Sequence, residues 1–214
     1  MCINWYTSLG ALGLGSWFNY KVLSTTTNPN YRMIAWLYQY ILLMQVFDFM
    51  AWTDPKCGWR NRLATQAAYL QNILQPVVMV LILLVGTQVR DIAAKGWSGL
   101  ALLVYLAIVL YYLYYTNGSS SPQTCMRPTS ACKHLDYTWW YLMPVPILIY
   151  LIPYVVAFPS LIRPTSMGWI QFIYVLVSYL AGHFFYACGS PSLFCLFAAG
   201  GPVLNYFLLS HSKL

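Results

Sequence analysis

Of the four acidic side chains in this sequence, only Asp48 falls inside an apolar run, with Gln45 three residues before it. On a helix that spacing puts the two on nearly one face. A carboxylate in hydrocarbon is costly, so it must face a bundle interior, water or a partner. Gln66, Gln71, Asn72 and Gln75 follow in the next apolar run, and His183 stands near the end of a later one. If these runs are adjoining helices, Asp48, Gln45, Gln66, Gln71 and His183 line a polar pocket that opens outward. In it Asp48 carries charge or a proton, His183 titrates beside it, and the amides donate and accept hydrogen bonds to a small polar solute. The plainer alternative is that the same groups cross-link helices at about 1 kcal/mol each, with Asp48 reaching Arg60 or Arg62.

Other chemistries lack their residues. A metal hydrolase needs several His or carboxylate ligands on one ion, and at depth only His183 and Asp48 are at hand. A serine triad would have to combine Asp48, His183 and a serine such as Ser178, with no nucleophile elbow beside them. The last apolar run holds no lysine before Lys213, which excludes a retinal Schiff base. No glycine-rich phosphate loop is present. No catalytic residue, metal or cofactor is therefore assigned.

The elements that must position these groups are set by composition. The 214 residues are 60% hydrophobic and only 7% charged, against about a quarter charged in soluble domains. The 11 basic residues behind the net charge of +7 are scattered over connecting loops and form no basic stripe, so nucleic acid is excluded as a partner. A span needs about 20 apolar residues. Seven segments qualify: Ile3–Tyr20, Met33–Trp52, Leu63–Val85, Trp97–Tyr115, Tyr137–Phe158, Met167–Ala187 and Ser192–Ser210. The expected architecture is one all-α transmembrane domain over residues 1–214, a polytopic seven-helix bundle in a lipid bilayer. Thr7, Ala11 and Gly15 recur every four residues and allow a close helix approach. Pro76, Pro144, Pro146, Pro153 and Pro202 stand inside spans, where each removes a backbone donor; Gly200-Gly201-Pro202 reads as a kink. Trp5, Trp52, Trp59, Trp139 and Trp140 mark one interface, and Trp36, Trp97 and Trp169 the other.

Basic residues divide six against five between the two faces and set no orientation. Cysteines do more. Cys2, Cys57, Cys125, Cys132 and Cys188 fall at one face, with Cys195 within about one helical turn of it. Asn117-Gly118-Ser119, a glycosylation sequon, lies in the same set of loops. Disulfides persist in oxidising compartments, so this face, with the amino terminus, is placed outside. The short Cys125–Cys132 loop is the favoured bridge, with Cys2–Cys57 and Cys188–Cys195 completing one of fifteen pairings.

The first and last three spans correspond loosely, with the fourth as linker: Pro76-Val77 and Pro202-Val203 fall at similar depths in the third and seventh. A parallel repeat of that kind places a solute site near the midplane. The Pro-Gln signature of the PQ-loop family is absent from the spans. Met1-Cys2 with Thr7-Ser8, Leu43-Met44-Gln45-Val46-Phe47-Asp48, Asn61, Ala68-Tyr69, Leu74-Gln75-Pro76 and Ser192-Leu193-Phe194-Cys195 together resemble a family of uncharacterised seven-span membrane proteins of large DNA viruses and bacteria. Departures are Gln45 before Asp48, where that family has Glu before Gln, and Ser190-Pro191, where it has an acid and a Trp. The resemblance implies a seven-helix bundle and supplies no activity. The sequence thus favours a multi-pass protein that binds or transports a small polar solute. The alternative is a non-catalytic scaffold of a viral or host membrane.

Overall fold

The computed structural model describes residues 4–116, 125–128, 135–136, 147–185 and 190–211. Among them are seven helices: α1 (Trp5–Thr25), α2 (Pro29–Trp52), α3 (Trp59–Gly86), α4 (Ile92–Thr116), α5 (Ile147–Leu161), α6 (Thr165–Phe185) and α7 (Ser190–His211). Three stretches are long and apolar enough to cross a membrane: Pro29–Trp52, Trp59–Gly86 and Ile92–Tyr111. The start of the expected Tyr137–Phe158 span lies outside the described residues.

Polar residues at the ends of apolar runs fix where the helices begin. Asn4 accepts from the Thr7 N–H at 2.9 Å while its own N–H donates to the Thr7 hydroxyl at 3.2 Å, a reciprocal cap for α1. Asn28 caps α2 with Pro29 in the first turn, where a missing N–H costs nothing. Asp54 accepts from the backbone of Gly58 and Asn61 at the head of α3. Asp91 does the same for Ala93 and Ala94 in α4.

Successive helices pack side by side, and α7 returns to α1, so the bundle closes as a ring. Further packing joins α2 to α7 and α3 to α5. In this ring α1–α2–α3 corresponds to α5–α6–α7, α7–α1 corresponds to α3–α5, and α4 rests on α3 and α5. The correspondence breaks at α2–α7, which no equally extensive α3–α6 packing mirrors. Thirteen of the 24 residues of α2 are buried, which makes it the interior post of the bundle. Its Ile34, Leu37, Tyr38 and Ile41 pack with Met79, Val80 and Leu83 of α3 and Tyr154, Phe158 and Leu161 of α5.

Small residues set the closest approaches. α1 buries Ser8, Ala11, Gly15, Asn19 and Val22, and a β-carbon at Gly15 would lie 2.7 Å from a Leu42 methyl. Gly168 meets the Phe158 backbone where α5 turns into α6. α3, α5 and α7 run continuously through Pro76, Pro153 and Pro202; Pro144 and Pro146 lie outside the described residues. Gly200 and Gly201 are helical, and a β-carbon on them would strike the Tyr174 hydroxyl and the Tyr38 ring. Their role is therefore clearance for two tyrosines as well as any bend at Pro202.

Candidate functional site

Tyr38, Ile41, Gln45 and Asp48 follow one another at three- and four-residue steps and form one stripe along α2. All are buried: Asp48 is 0% exposed and Gln45 1%. Asp48 stands on the face between Met44 and Ala51, which pack with Ala64 and Ala68 of α3 and with Met126 from the α4–α5 connection. Met126 is itself 0% exposed. An apolar side chain thus packs against the same cluster as the neighbours of Asp48.

Asn61, in the first turn of α3, holds Met126 there. Its Nδ2 donates to the Met126 carbonyl at 2.8 Å and to the carbonyls of Asp54 and Ala51 at 3.0 and 3.2 Å. Its Oδ1 accepts from the Met126 N–H at 2.8 Å. One side-chain amide so replaces the backbone partner that a buried, non-helical segment requires. A two-residue antiparallel bridge, Arg127 with Asp136 and Pro128 with Leu135, continues the segment.

The neighbouring residue is covalently tied: Cys57 and Cys125 form a disulfide across 68 residues of sequence. This corrects the Cys125–Cys132 bridge favoured by its short loop, and with it the Cys2–Cys57 bridge that completes that pairing. Docking of Met126 against α3 brings Cys125 to the α2–α3 turn, so spatial proximity decides and sequence distance does not. Cys2, Cys132, Cys188 and the Asn117 sequon lie outside the described residues. Cys195 falls in α7, with its side chain also outside them.

A second polar cluster lies deeper. The Tyr38 hydroxyl donates to Gln171 Oε1 at 2.6 Å, joining α2 to α6. Tyr150 donates to Gln75 Oε1, joining α5 to α3. Beside these bonds is a cavity of about 10 Å³ whose wall includes Ile41, Gln75, Tyr154, Tyr174, Val175 and Ser178 and presents only apolar atoms. The Tyr154 hydroxyl and the Gln171 Nε2 are buried without a hydrogen-bond partner among the described residues.

Pro76 organises the α3 side of this cluster. It has no N–H for the Asn72 carbonyl one turn earlier. Carbonyls on either side of that position take tyrosine hydroxyls from other helices, Tyr40 to Gln71 at 3.2 Å and Tyr105 to Ile73 at 2.9 Å. Gln71 reciprocates through its side-chain amide to the Tyr40 carbonyl. The proline is thus the centre of a set of cross-helix bonds.

The pocket residues expected from sequence separate into three groups. Asp48 and Gln45 are enclosed together, and Gln71 is buried one level deeper as a link between α2 and α3. Gln66 is exposed. Five residues from Gln71 is about 500° of helix at 3.6 residues per turn, so the two amides cannot share a face. His183 lies in the last turn of α6, and its side chain is outside the described residues. Sequence reasoning missed Asn61, Tyr154, Tyr174 and the bonding of Gln171. The signal for part of this was present, since Gln171, Tyr174 and Ser178 repeat the three-then-four spacing of Tyr38, Ile41 and Gln45.

One carboxylate, several amides and a ring of phenols can bind and orient a hydrogen-bonding molecule. Among the described residues no three His, Cys, Asp or Glu side chains converge as a metal site requires. Comparison with protein-family models, curated proteins and solved structures finds no match to this chain.

Proposed function

We propose that this chain crosses a membrane seven times with its amino terminus outside and binds or moves a small polar solute along the polar stripe of α2. Asp48 is the charged or proton-carrying group at the outer end, and the Gln75–Gln171 cluster is the midplane station. The observation that carries this reading is the complete enclosure of Asp48 beside Gln45, on the same stripe of α2 as Tyr38, which bonds Gln171 of α6. An enclosed carboxylate is a poor choice for stability alone. On this reading Met126, which packs with the Met44 and Ala51 neighbours of Asp48, would have to move for a solute to reach the carboxylate. Seven spans are supported by exposed apolar side chains such as Leu14, Leu81, Leu103 and Val177 along four helices. Exposed Trp36, Trp97 and Trp169 stand at one set of helix ends and Trp5 and Trp59 at the other, as interfacial belts do.

Purified protein in lipid nanodiscs tests the reading by solute binding and uptake across pH. Asp48→Asn is expected to remove the pH dependence and lower uptake at least tenfold while leaving folding intact. Unchanged uptake of every bound solute by a well-folded Asp48→Asn protein refutes it. A second reading, a non-catalytic scaffold of a viral or host membrane, draws on the bonds that polar side chains make to neighbouring helices, such as Asn205 to the Tyr31 carbonyl at 3.0 Å. It expects Asp48→Asn to alter stability or assembly alone.

A further inference from the structure

We infer that the groove between α2 and α3 holds an anionic phospholipid, with an acyl chain along the groove and the phosphate on Arg32. The site requires the proposed membrane crossing and does not depend on solute transport.

The groove is walled by Trp36, Gln39, Tyr40 and Leu43 of α2 and by Val78 and Ile82 of α3, and its volume is about 410 Å³. Both helices are long and apolar enough to cross a membrane. Trp36 and Leu43 are exposed, so the groove opens to the medium around the bundle.

Two wall residues are polar by type, yet their polar atoms are turned to neighbouring helices. Gln39 Nε2 donates to the Ser16 hydroxyl at 3.2 Å, and its Oε1 accepts from Asn19 Nδ2 at 3.1 Å, so the amide is spent on α1. The Tyr40 hydroxyl donates to the Gln71 carbonyl at 3.2 Å, so the phenol is spent on α3. What remains is aliphatic stem and ring, and the groove presents almost only apolar atoms. Water finds no set of partners there, and a polar solute leaves its own groups unpaired. A hydrocarbon chain needs no partner.

Charge selects the headgroup. Arg32, Trp36, Gln39 and Leu43 follow one another at four-, three- and four-residue steps, one stripe of α2. Arg32 Nη1 donates to the carbonyls of Leu23 at 2.8 Å and Thr26 at 3.3 Å. Those bonds fix the guanidinium at the end of α1 and leave Nε and Nη2 uncommitted among the described residues. A guanidinium fork matches a phosphate. The connections after α1, α3 and α5 meet at this end: Asn30 Oδ1 accepts from the Arg163 N–H at 3.3 Å, and the Thr87 hydroxyl donates to the Leu161 carbonyl at 2.8 Å. The end carries Lys21, Arg32, Arg90, Lys95 and Arg163 against Asp91 alone among the described residues, whereas Asp48, Asp54 and Asp136 stand toward the other. A basic end attracts anionic lipid.

Length agrees with charge. From Arg32 to Leu43, α2 rises about 16 Å at about 1.5 Å per residue, close to half of a hydrocarbon core about 30 Å thick. A chain hanging from a phosphate at Arg32 therefore follows the groove through its own leaflet, past Trp36 at interfacial depth.

Tryptophan quenching by brominated acyl chains provides the test, because Trp36 lies in the groove wall. The full chain is placed in phosphatidylcholine vesicles with a minor fraction of either brominated phosphatidylglycerol or brominated phosphatidylcholine. The share due to Trp36 is taken by difference from Trp36→Phe. The anionic lipid is expected to quench Trp36 at about fivefold lower mole fraction than the zwitterionic one, the gain from one cation at a membrane surface. Arg32→Gln removes that preference and Arg32→Lys keeps it. Val78→Phe fills the groove and removes the preference while Arg32 stays in place. Equal quenching by the two lipids, or a preference that survives Arg32→Gln or Val78→Phe, overturns the lipid site and leaves the membrane crossing standing. No quenching of any tryptophan by either lipid overturns the crossing and the lipid site with it. If Arg32→Gln does not fold, Val78→Phe decides alone.

Discussion

Replacing Asn61 by Ala tests whether one amide holds Met126 against the head of α3. The amide has two N–H protons for three carbonyls, so its contacts at 2.8, 3.0 and 3.2 Å amount to two full bonds, one of them shared. Its oxygen adds a third from the Met126 N–H. Three bonds at about 1 kcal/mol net each give about 3 kcal/mol. The Met126 N–H and carbonyl are left buried without a partner unless the segment lifts away, and such groups cost about 1–3 kcal/mol each. Lifting limits the loss, so about 3–4 kcal/mol is expected. For a chain of this size, with about 2–4 °C per kcal/mol, the midpoint falls by about 6–16 °C. Tryptophan fluorescence of thermally unfolding protein in detergent, under non-reducing conditions so that the disulfide is held constant, measures it. A fall under about 2 °C would mean that the segment is held by the disulfide and the burial of Met126 alone, and the account of Asn61 given above would be wrong.

Gly201→Ala should destabilise more than Gly200→Ala, because the first strikes ring atoms of Tyr38 and the second only the hydroxyl tip of Tyr174; paired thermal melts rank them. Tyr38→Phe leaves the Gln171 amide, whose nitrogen has no partner among the described residues, with no described bond to α2, and a loss of about 1–3 kcal/mol should appear in denaturant unfolding. Non-reducing peptide mapping should recover Cys57 linked to Cys125. Cys57→Ser should cost up to about 4 kcal/mol on the chain-entropy estimate for a 68-residue separation, read as a lowered melting midpoint that reductant no longer shifts.

Apolar runs located the helices because lipid-facing and core-facing positions are both apolar, so length alone marks them. α2 and α7 match the expected runs to within a few residues, and their ends differ where Asn28 and Pro29 extend a helix that hydropathy starts at Met33. Depth along a helix was therefore legible, whereas angle around it was only partly so. Asp48 and Gln45 follow from a short spacing, but Gln66 was grouped with Gln71 by depth, and the helical angle between them puts it outside. The disulfide and the Asn61 clamp were not legible. Both depend on where a loop docks, 65 residues along the chain from Asn61, and local periodicity carries no such information.

Two apolar side chains now set what the proposed function demands: Met126, which packs with Met44 and Ala51 on either side of Asp48, and Ile41, which stands on α2 between Tyr38 and Gln45. Ile41 is carried on α2, packed against α1, α3 and α7, so its displacement requires the bundle to rearrange. Met126 is carried on a connection that, among the described residues, Asn61 and the Cys57–Cys125 disulfide tie to the head of α3. On the proposed reading, passage of a solute would therefore begin at the Met126 end, with Asn61 and Cys57–Cys125 setting how readily Asp48 meets water. A scaffold needs neither step. If an Asn61→Ala protein lacking the Cys57–Cys125 link binds solute with unchanged rate and affinity, entry does not pass Met126, and the stripe from Asp48 to Tyr38 is a structural seam.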